Sequence, residues 1–285
     1  MTVRLKRHVL KNVTDHSGKL VSEERRLEEP PKYSIADPFR SSKRTTSVSL
    51  ITYNEEELLP QCLDYCLSLR QVGEICVVDS FSTDNTVEIL RDYSKIAESK
   101  NVQIKFCQRT FDNFQNQRNK CLELCTLKWI LYIDADETYT ENLNELLPAL
   151  EFMPTINAVR IGTIMIFPDS NHFIKKRFLD PHIRIWRRGF AQFNGVIHER
   201  LRDKQNRDLH VTKAPDILHA DHLVPKCFML HHQLLKTDKS LIEKGERWEQ
   251  IGAISNSCRW GKKLTKSFWI DEKGKEWDIL PIENL

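Results

Sequence analysis

From Thr45 onward the chain alternates short apolar, β-branched runs with amphipathic stretches of helical period. TTSVSLITY (45–53), EICVVDS (74–80), VQIKFCQ (102–108) and KWILYID (128–134) read as strands. Between them, EEELLPQCLDYCLSLR (55–70), TDNTVEILRDYSKIAES (83–99) and NFQNQRNKCLELCT (113–126) read as helices, with Asn54 capping the first and Thr83 or Asp84 the second. Near-continuous apolar strands alternating with helices predict an α/β protein: a mostly parallel, Rossmann-like central sheet with helices on both faces.

The rhythm changes beyond Asp136. NAVRIGTIMIF (157–167) and HIRIWRR (182–188) read as strands and FNGVIHERL (193–201) as strand or loop. PKCFMLHHQLLKTDKSLIEKGERWEQIG (225–252) reads as a C-terminal helical extension, and KSFWIDEKGKEWDIL (266–280) as a small hairpin about Lys273-Gly274 or a loose apron. Residues 1–44 are charged, lack sustained periodicity and contain Pro30-Pro31 and Pro38 as breakers, so they read as an extension. The expected division is 1–44, then 45–136 and 137–224 as two halves of one domain, and a C-terminal segment over 225–285.

An open parallel sheet binds its ligand outside the carboxyl ends of its strands. Those ends carry Thr52-Tyr53-Asn54-Glu55, Asp79-Ser80 with Asp84, and Asp134-Ala135-Asp136-Glu137, so carboxylates and hydroxyls gather along one edge. Neither G-x-G-x-x-G after a strand nor G-x-x-x-x-G-K-[ST] occurs. Without a glycine cradle, a bound diphosphate needs another counter-charge, and carboxylate-held Mn²⁺ or Mg²⁺ is the usual one. A lone D-x-D is more often a turn or cap; two further acidic strand ends beside Asp134-x-Asp136 reverse that preference.

Composition narrows the class. With 285 residues, 40% hydrophobic and 29% charged, the chain is an ordinary globular protein able to bury a large core. A net charge of +3 permits an anionic ligand but is too small to argue for nucleic acid by itself. The eight cysteines form no C-x-x-C pair and read as buried reduced thiols. No apolar run approaches the roughly 18 residues of a membrane span, and the N-terminus lacks a secretory apolar stretch. A cytoplasmic protein is expected, with peripheral contact at the inner membrane left open.

The ordered set SLITYNEEELLPQCL, EICVVDSFSTDNTVEIL, FDNFQNQRNKCLE and WILYIDADE resembles the nucleotide-sugar-binding half of family 2 glycosyltransferases of GT-A fold. Within that family it is most similar to lipopolysaccharide-core β-glucosyltransferases and bacteriocin S-glycosyltransferases, over about residues 46–222. The resemblance implies a UDP-sugar donor, with glucose favoured. It places Thr52, Tyr53, Asn54 and Glu55 around the nucleoside and Asp79 on the pyrimidine edge, with Ser80 and Asp84 supporting that loop. Arg118 and Asn119 would reach the donor phosphate or sugar, Asp134 its hydroxyls, and Asp136 the metal.

Two later motifs, RIWRRGFAQFNGVIHERL and ILHADH, also resemble the subgroup. They make Glu199 the candidate general base, His198 an orienting or substrate-binding group, and His219 a further metal or phosphate ligand in competition with a core or turn histidine. His222, His231 and His232 carry no comparable argument. Trp186, Phe190 and Phe193 are sugar-stacking candidates weighed against a core role. The acceptor stays open among a glycoconjugate hydroxyl, a peptide side chain and a modified nucleic-acid base. Lys175-Lys176-Arg177 with Arg184, Arg187 and Arg188 could face an anionic surface, or form a solvated strand face.

Two other classes compete. Asp134-x-Asp136-x-Thr138 after an apolar strand matches the string used by haloacid-dehalogenase-type phosphatases, with Asp134 as nucleophile. Its position after the fourth strand rather than the first argues against that reading, which also leaves the other strand ends without work. A non-catalytic nucleotide-binding protein would have no need of the D-x-D and the His198-Glu199 pair.

Overall fold

The computed structural model describes residues 43–167, 169–174, 179–195 and 200–237, and the C-terminal segments 263–264, 268–270 and 276–284. All belong to one compact unit, Pro38–Leu285. The N-terminal half runs β1 (Thr46–Thr52), α1 (Leu59–Ser68), β2 (Val72–Asp79), α2 (Thr86–Ser99), β3 (Gln103–Gln108), α3 (Phe114–Leu124) and β4 (Trp129–Tyr132). These strands are the ones the apolar runs predict. β1 lies between β2 and β4, and β3 flanks β2, all in parallel register.

The alternation of side chains across each strand divides the core into two layers. Val48, Leu50, Ile75, Val77 and Leu131 pack with Leu59 and Leu63 of α1 and Leu90 of α2. Cys76, Val78 and Ile130 point the other way and meet Cys121 of α3. Among the described residues, Cys62, Cys66, Cys76, Cys121, Cys125 and Cys227 are buried free thiols and Cys107 is half-buried, as expected.

The second half supplies β5 (Glu137–Tyr139), α4 (Leu143–Ala149), β6 (Ala158–Met165), β7 (His172–Ile174), β8 (Leu179–Arg187), β9 (Ala191–Asn194), β10 (Arg200–Asp203), β11 (Ile217–His219), α5 (Ala220–Leu223) and β12 (Phe228–His231). The main sheet has nine strands in the order β3-β2-β1-β4-β8-β6-β12-β5, with β11 also on β6. β8 is antiparallel to β4 and β6, and β5 is antiparallel to β12; the remaining pairs are parallel. This mixed, mostly parallel sheet with flanking helices is the GT-A-like architecture the strand motifs imply. β9 and β10 form a separate two-stranded ribbon. Among the described residues no helix is long and apolar enough to cross a membrane.

Two expectations need correction. The acidic helix head at Glu55–Glu57 is a turn: Asn54 takes a left-handed φ of 51°, and α1 begins only at Leu59, with Pro60 in its first turn. The C-terminal helix fails at its start, because Phe228–His231 is β12, paired with both β5 and β6. Residues 238–262 of that expected helix lie outside the described residues. At the tail, β14 (Phe268–Ile270) pairs antiparallel with β15 (Glu276–Pro281), which is the expected hairpin. β13 (Lys263–Leu264) joins β14, and β15 runs on to pair with β7.

At the sheet edge opposite the D-x-D, buried Glu74 accepts hydrogen bonds from Ser47 Oγ (2.6 Å), Lys105 Nζ (2.6 Å), and the Thr126 hydroxyl (2.7 Å) and amide. Burial pushes this carboxyl up, but the Lys105, Ser47 and Thr126 donors outweigh it and hold it at about 2. An unfolded Glu titrates near 4.3. The stabilisation is therefore complete above about pH 4.3 and is lost as pH falls toward 2. Two units correspond to roughly 3 kcal/mol. Urea unfolding as a function of pH is expected to show this acid limb flattened in Glu74→Gln; an unchanged slope would count against the network.

Candidate functional site

The loops after β1 and β2 are laced together before any ligand is considered. Asn54 N donates to Ser82 Oγ (2.9 Å) and Asn54 Oδ1 accepts from Thr83 N (2.8 Å). Glu55 N donates to Thr86 Oγ1 (2.8 Å), and Glu56 N to Asp84 Oδ2 (3.0 Å). Asp84 Oδ1 accepts from Thr86 N (3.0 Å), so Asp84 holds both ends of this turn. Thr52 is buried and donates to Asp79 Oδ1 (3.0 Å); Tyr53 is half-buried at the mouth.

Asp79 corrects an expectation. It is fully buried, and its two oxygens accept from Thr52, from the Ser82 hydroxyl and amide, and from Gln108 Nε2. Those donors make it the organiser of the loop rather than a group held out toward a pyrimidine. Ser80 accepts from Gln117 Nε2 (2.9 Å), and Gln117 Oε1 accepts from Arg109 Nη1 (3.1 Å). Phe81, between the two serines, has a left-handed φ of 58° and a ring 51% exposed, a strained backbone of the kind that clusters at functional loops.

Asp134 follows β4 and is held from both sides. Its Oδ1 accepts from Arg118 Nη1 and its Oδ2 from the Tyr132 hydroxyl, both at 2.9 Å. Burial pushes the carboxyl up, but the Arg118 and Arg184 guanidiniums outweigh it and keep Asp134 below its ordinary value. Each oxygen retains a lone pair, and the side chain is 31% exposed, so it is both oriented and reachable.

Arg118 is buried beside the Tyr132 ring (4.6 Å to the centroid) and the Phe193 ring (5.5 Å). It orients Asp134, which differs from the expected reach toward the donor phosphate or sugar. Asn119 is a second correction: its amide donates to Phe193 O and accepts from Phe193 N, each at 2.9 Å, tying α3 to β9. Gln115 extends that tie by accepting from Gly195 N (2.7 Å).

Beneath the D-x-D lies a buried pair that sequence reasoning missed. Arg184 donates both Nη atoms to Glu137 at 2.9 Å, and Glu137 Oε2 also accepts from Asp134 N (2.9 Å). Burial works against the Arg184 cation, but Glu137 beside it holds it above its ordinary range. Arg184 is therefore not part of a surface facing polyanions. Arg187 is likewise committed, stacked on Trp129 (4.4 Å) and bonded to the carbonyls of Ile156 (2.8 Å) and Met153 (2.9 Å). Lys175, Lys176 and Arg177 lie outside the described residues. Trp186 and Phe193 are buried core residues in edge contact, with Phe190 packed against the same cluster, which excludes sugar stacking by the first two.

Asp136 is buried and faces an imidazole and an ammonium. His231 Nε2 stands 3.5 Å from its Oδ1, and Lys236 Nζ stands 3.7 Å from its Oδ2 while also pairing with Glu55. His219, the expected second ligand, is elsewhere. Both β11 and β12 pair along the same edge of β6, but His219 sits opposite Arg160 and His231 opposite Met165. Five residues of strand separate them, about 17 Å at ~3.3 Å per residue. His219 neighbours His222 instead, with ring centroids 5.4 Å apart.

Among the described residues no group of three or more His, Cys, Asp or Glu is arranged to hold a metal. A nucleotide-bound Mg²⁺ or Mn²⁺ needs fewer, since one or two protein ligands plus phosphate oxygens and water complete its shell. Asp136 and His231 fit that lesser requirement, and the Lys236 ammonium already stands beside the Asp136 carboxylate.

Thr138 lies in β5 with its hydroxyl 2.8 Å from His232 Nε2, committed to that imidazole rather than to Asp134. Glu199 and His198 lie outside the described residues, between β9 and β10.

The sequence profile of glycosyl transferase family 2 matches residues 47–212, and the chain belongs to that family. It is 29% identical over 170 residues to the glycosyltransferase SunS from Bacillus subtilis, an alignment covering 58% of this chain and 36% of SunS. It is 35% identical over 108 residues to the lipopolysaccharide core biosynthesis glycosyltransferase LpsC of Rhizobium meliloti, covering 38% of this chain and 37% of LpsC. The match thus spans little more than a third of the length of these relatives. The structure of S. aureus TarS 1–349 in complex with UDP-GlcNAc is similar over 73% of this chain and 66% of that one, with 18% identity and a TM-score of 0.47.

Proposed function

We propose that this protein transfers a sugar, glucose by preference, from a UDP-sugar to a nucleophile with inversion at the anomeric carbon. A glycoconjugate hydroxyl is the favoured acceptor, with a peptide side chain or a modified nucleic-acid base as the other acceptor classes. Action in the cytoplasm, at the inner membrane face for a lipid-linked acceptor, belongs to the same proposal. The observation that carries the reading is the convergence of an oriented, reachable Asp134 with the Asp136–His231 pair at the carboxyl edge of the sheet. The choice of UDP and glucose follows the resemblance of the strand-end motifs.

In this mechanism the Asp134 carboxylate accepts hydrogen bonds from donor hydroxyls, and Arg118 and Tyr132 fix its direction. Thr52, Tyr53, Asn54 and Glu55 border the nucleoside, on a loop held rigid by Asp79, Ser80 and Asp84. Asp136 and His231 would hold Mn²⁺ or Mg²⁺, which when bound supplies positive charge at the departing diphosphate. Glu199 takes the proton of the incoming acceptor, and His198 orients it.

Thermal unfolding against UDP-, GDP- and CDP-sugars, with and without Mn²⁺, tests the reading. A ligand at 100 times its Kd adds about 2.7 kcal/mol, which raises Tm by several degrees. A shift with one UDP-sugar that needs Mn²⁺ and is lost in Asp136→Asn is the expected result. If no UDP-sugar raises Tm, the donor assignment fails.

A further inference from the structure

The cation beside Asp136 belongs to the chain itself. Lys236 is 4% exposed, and its ammonium lies between the carboxylates of Glu55 and Asp136. The segment that carries it is anchored on both sides. Upstream, His231 pairs with Glu137 and Met165, and His232 N donates to Asp136 O (2.8 Å). Downstream, Thr237 donates its amide (3.0 Å) and its hydroxyl (2.9 Å) to the Glu57 carboxylate. The acids after β1 thus fasten residues 236–237 beside Asp136, with Glu55 taking the ammonium and Glu57 the Thr237 amide and hydroxyl.

We propose that Lys236 is the resident counter-ion of Asp136, and that it keeps a divalent cation out of the site until a nucleoside diphosphate arrives. The proposal rests on the reading that Asp136 holds the cation. Like charges repel strongly at a partly desolvated position, so an ammonium within 4 Å of Asp136 Oδ2 opposes a second cation on that carboxylate. A diphosphate changes the balance by adding negative charge and offering the ammonium other acceptors. The flexible lysine stem lets the charge move while Thr237 stays fastened. Cation and nucleotide would then bind with positive coupling, each tightening the other by the same factor. Lys236 is thereby a positioning residue that sets the order of binding.

Free Mn²⁺ measured by electron paramagnetic resonance, with and without UDP, tests this on the full chain. In Lys236→Met the nucleotide-free affinity for Mn²⁺ is expected to rise by at least about ten-fold, and the enhancement by UDP to shrink accordingly. Lys236→Arg, which restores the charge, is expected to return both toward the parent values. Glu57→Gln leaves the ammonium in place and weakens the Thr237 fastening, so a smaller gain is expected. Nucleotide-free affinity no tighter than the parent in Lys236→Met, or in Glu57→Gln should the first variant not fold, overturns the proposal. Asp136→Asn separates the two levels. If it retains Mn²⁺ binding with and without UDP, the cation reading fails and this proposal with it. If it loses Mn²⁺ binding while Lys236→Met behaves as the parent, only the role of Lys236 is overturned.

Discussion

Replacing Glu199 with glutamine is expected to lower sugar transfer about 10²- to 10⁴-fold while leaving UDP-sugar binding within a few-fold of the parent. The amide keeps the size and polarity of the carboxylate but cannot take a proton. An acceptor hydroxyl is a weak nucleophile at neutral pH, so loss of the base falls on the chemical step and spares donor affinity. The framework flanking this position is built: Asn194 and Arg200 pair across the β9–β10 ribbon, and Gln115 and Asn119 lock Gly195 and Phe193 onto α3. Transfer assays run beside donor titrations give the readout, and near-normal turnover in Glu199→Gln would remove it as the base. His198→Gln should cost less, because an orienting group is more easily replaced than a proton acceptor.

The second large effect is expected below the site. Glu137→Gln leaves the Arg184 guanidinium buried without its counter-charge, and breaking one side of such a pair costs about 3–5 kcal/mol. The same carboxylate accepts from the Asp134 amide, so the D-x-D loop loses an anchor together with the ion pair. Urea denaturation should show the loss, and donor affinity should fall as Asp134 loses its alignment. Replacing both residues with methionine is expected to recover much of the stability, because two apolar side chains carry no desolvation cost. A Glu137→Gln protein within about 1 kcal/mol of the parent would mean that the buried guanidinium finds another acceptor.

Much of the N-terminal half was legible before the fold was known. Its strands are apolar on both sides and its helices amphipathic, so period and composition agree locally. The strand ends followed at once, because a parallel sheet gathers them along one edge. The C-terminal half was less readable. FMLH has the composition of either a buried strand or a helix, and only pairing with β5 and β6 makes it β12. That misreading hid His231, which a strand delivers to Asp136; His219, which the ILHADH resemblance offered instead, is held by another strand some five residues away along β6.

The sequence by itself determined the α/β class, the acidic edge and the family, because these depend on local periodicity and on residues close together in the chain. The tertiary structure alone decided which polar groups stay reachable and which serve the scaffold. Asp79 and Asn119 look like donor-binding residues until their hydrogen bonds are counted, and both are taken up by the protein. Lys236 gives no signal in the chain, yet it reaches Glu55, 181 positions earlier. A buried charge must find a partner wherever the fold brings one, and sequence spacing carries no record of that pairing.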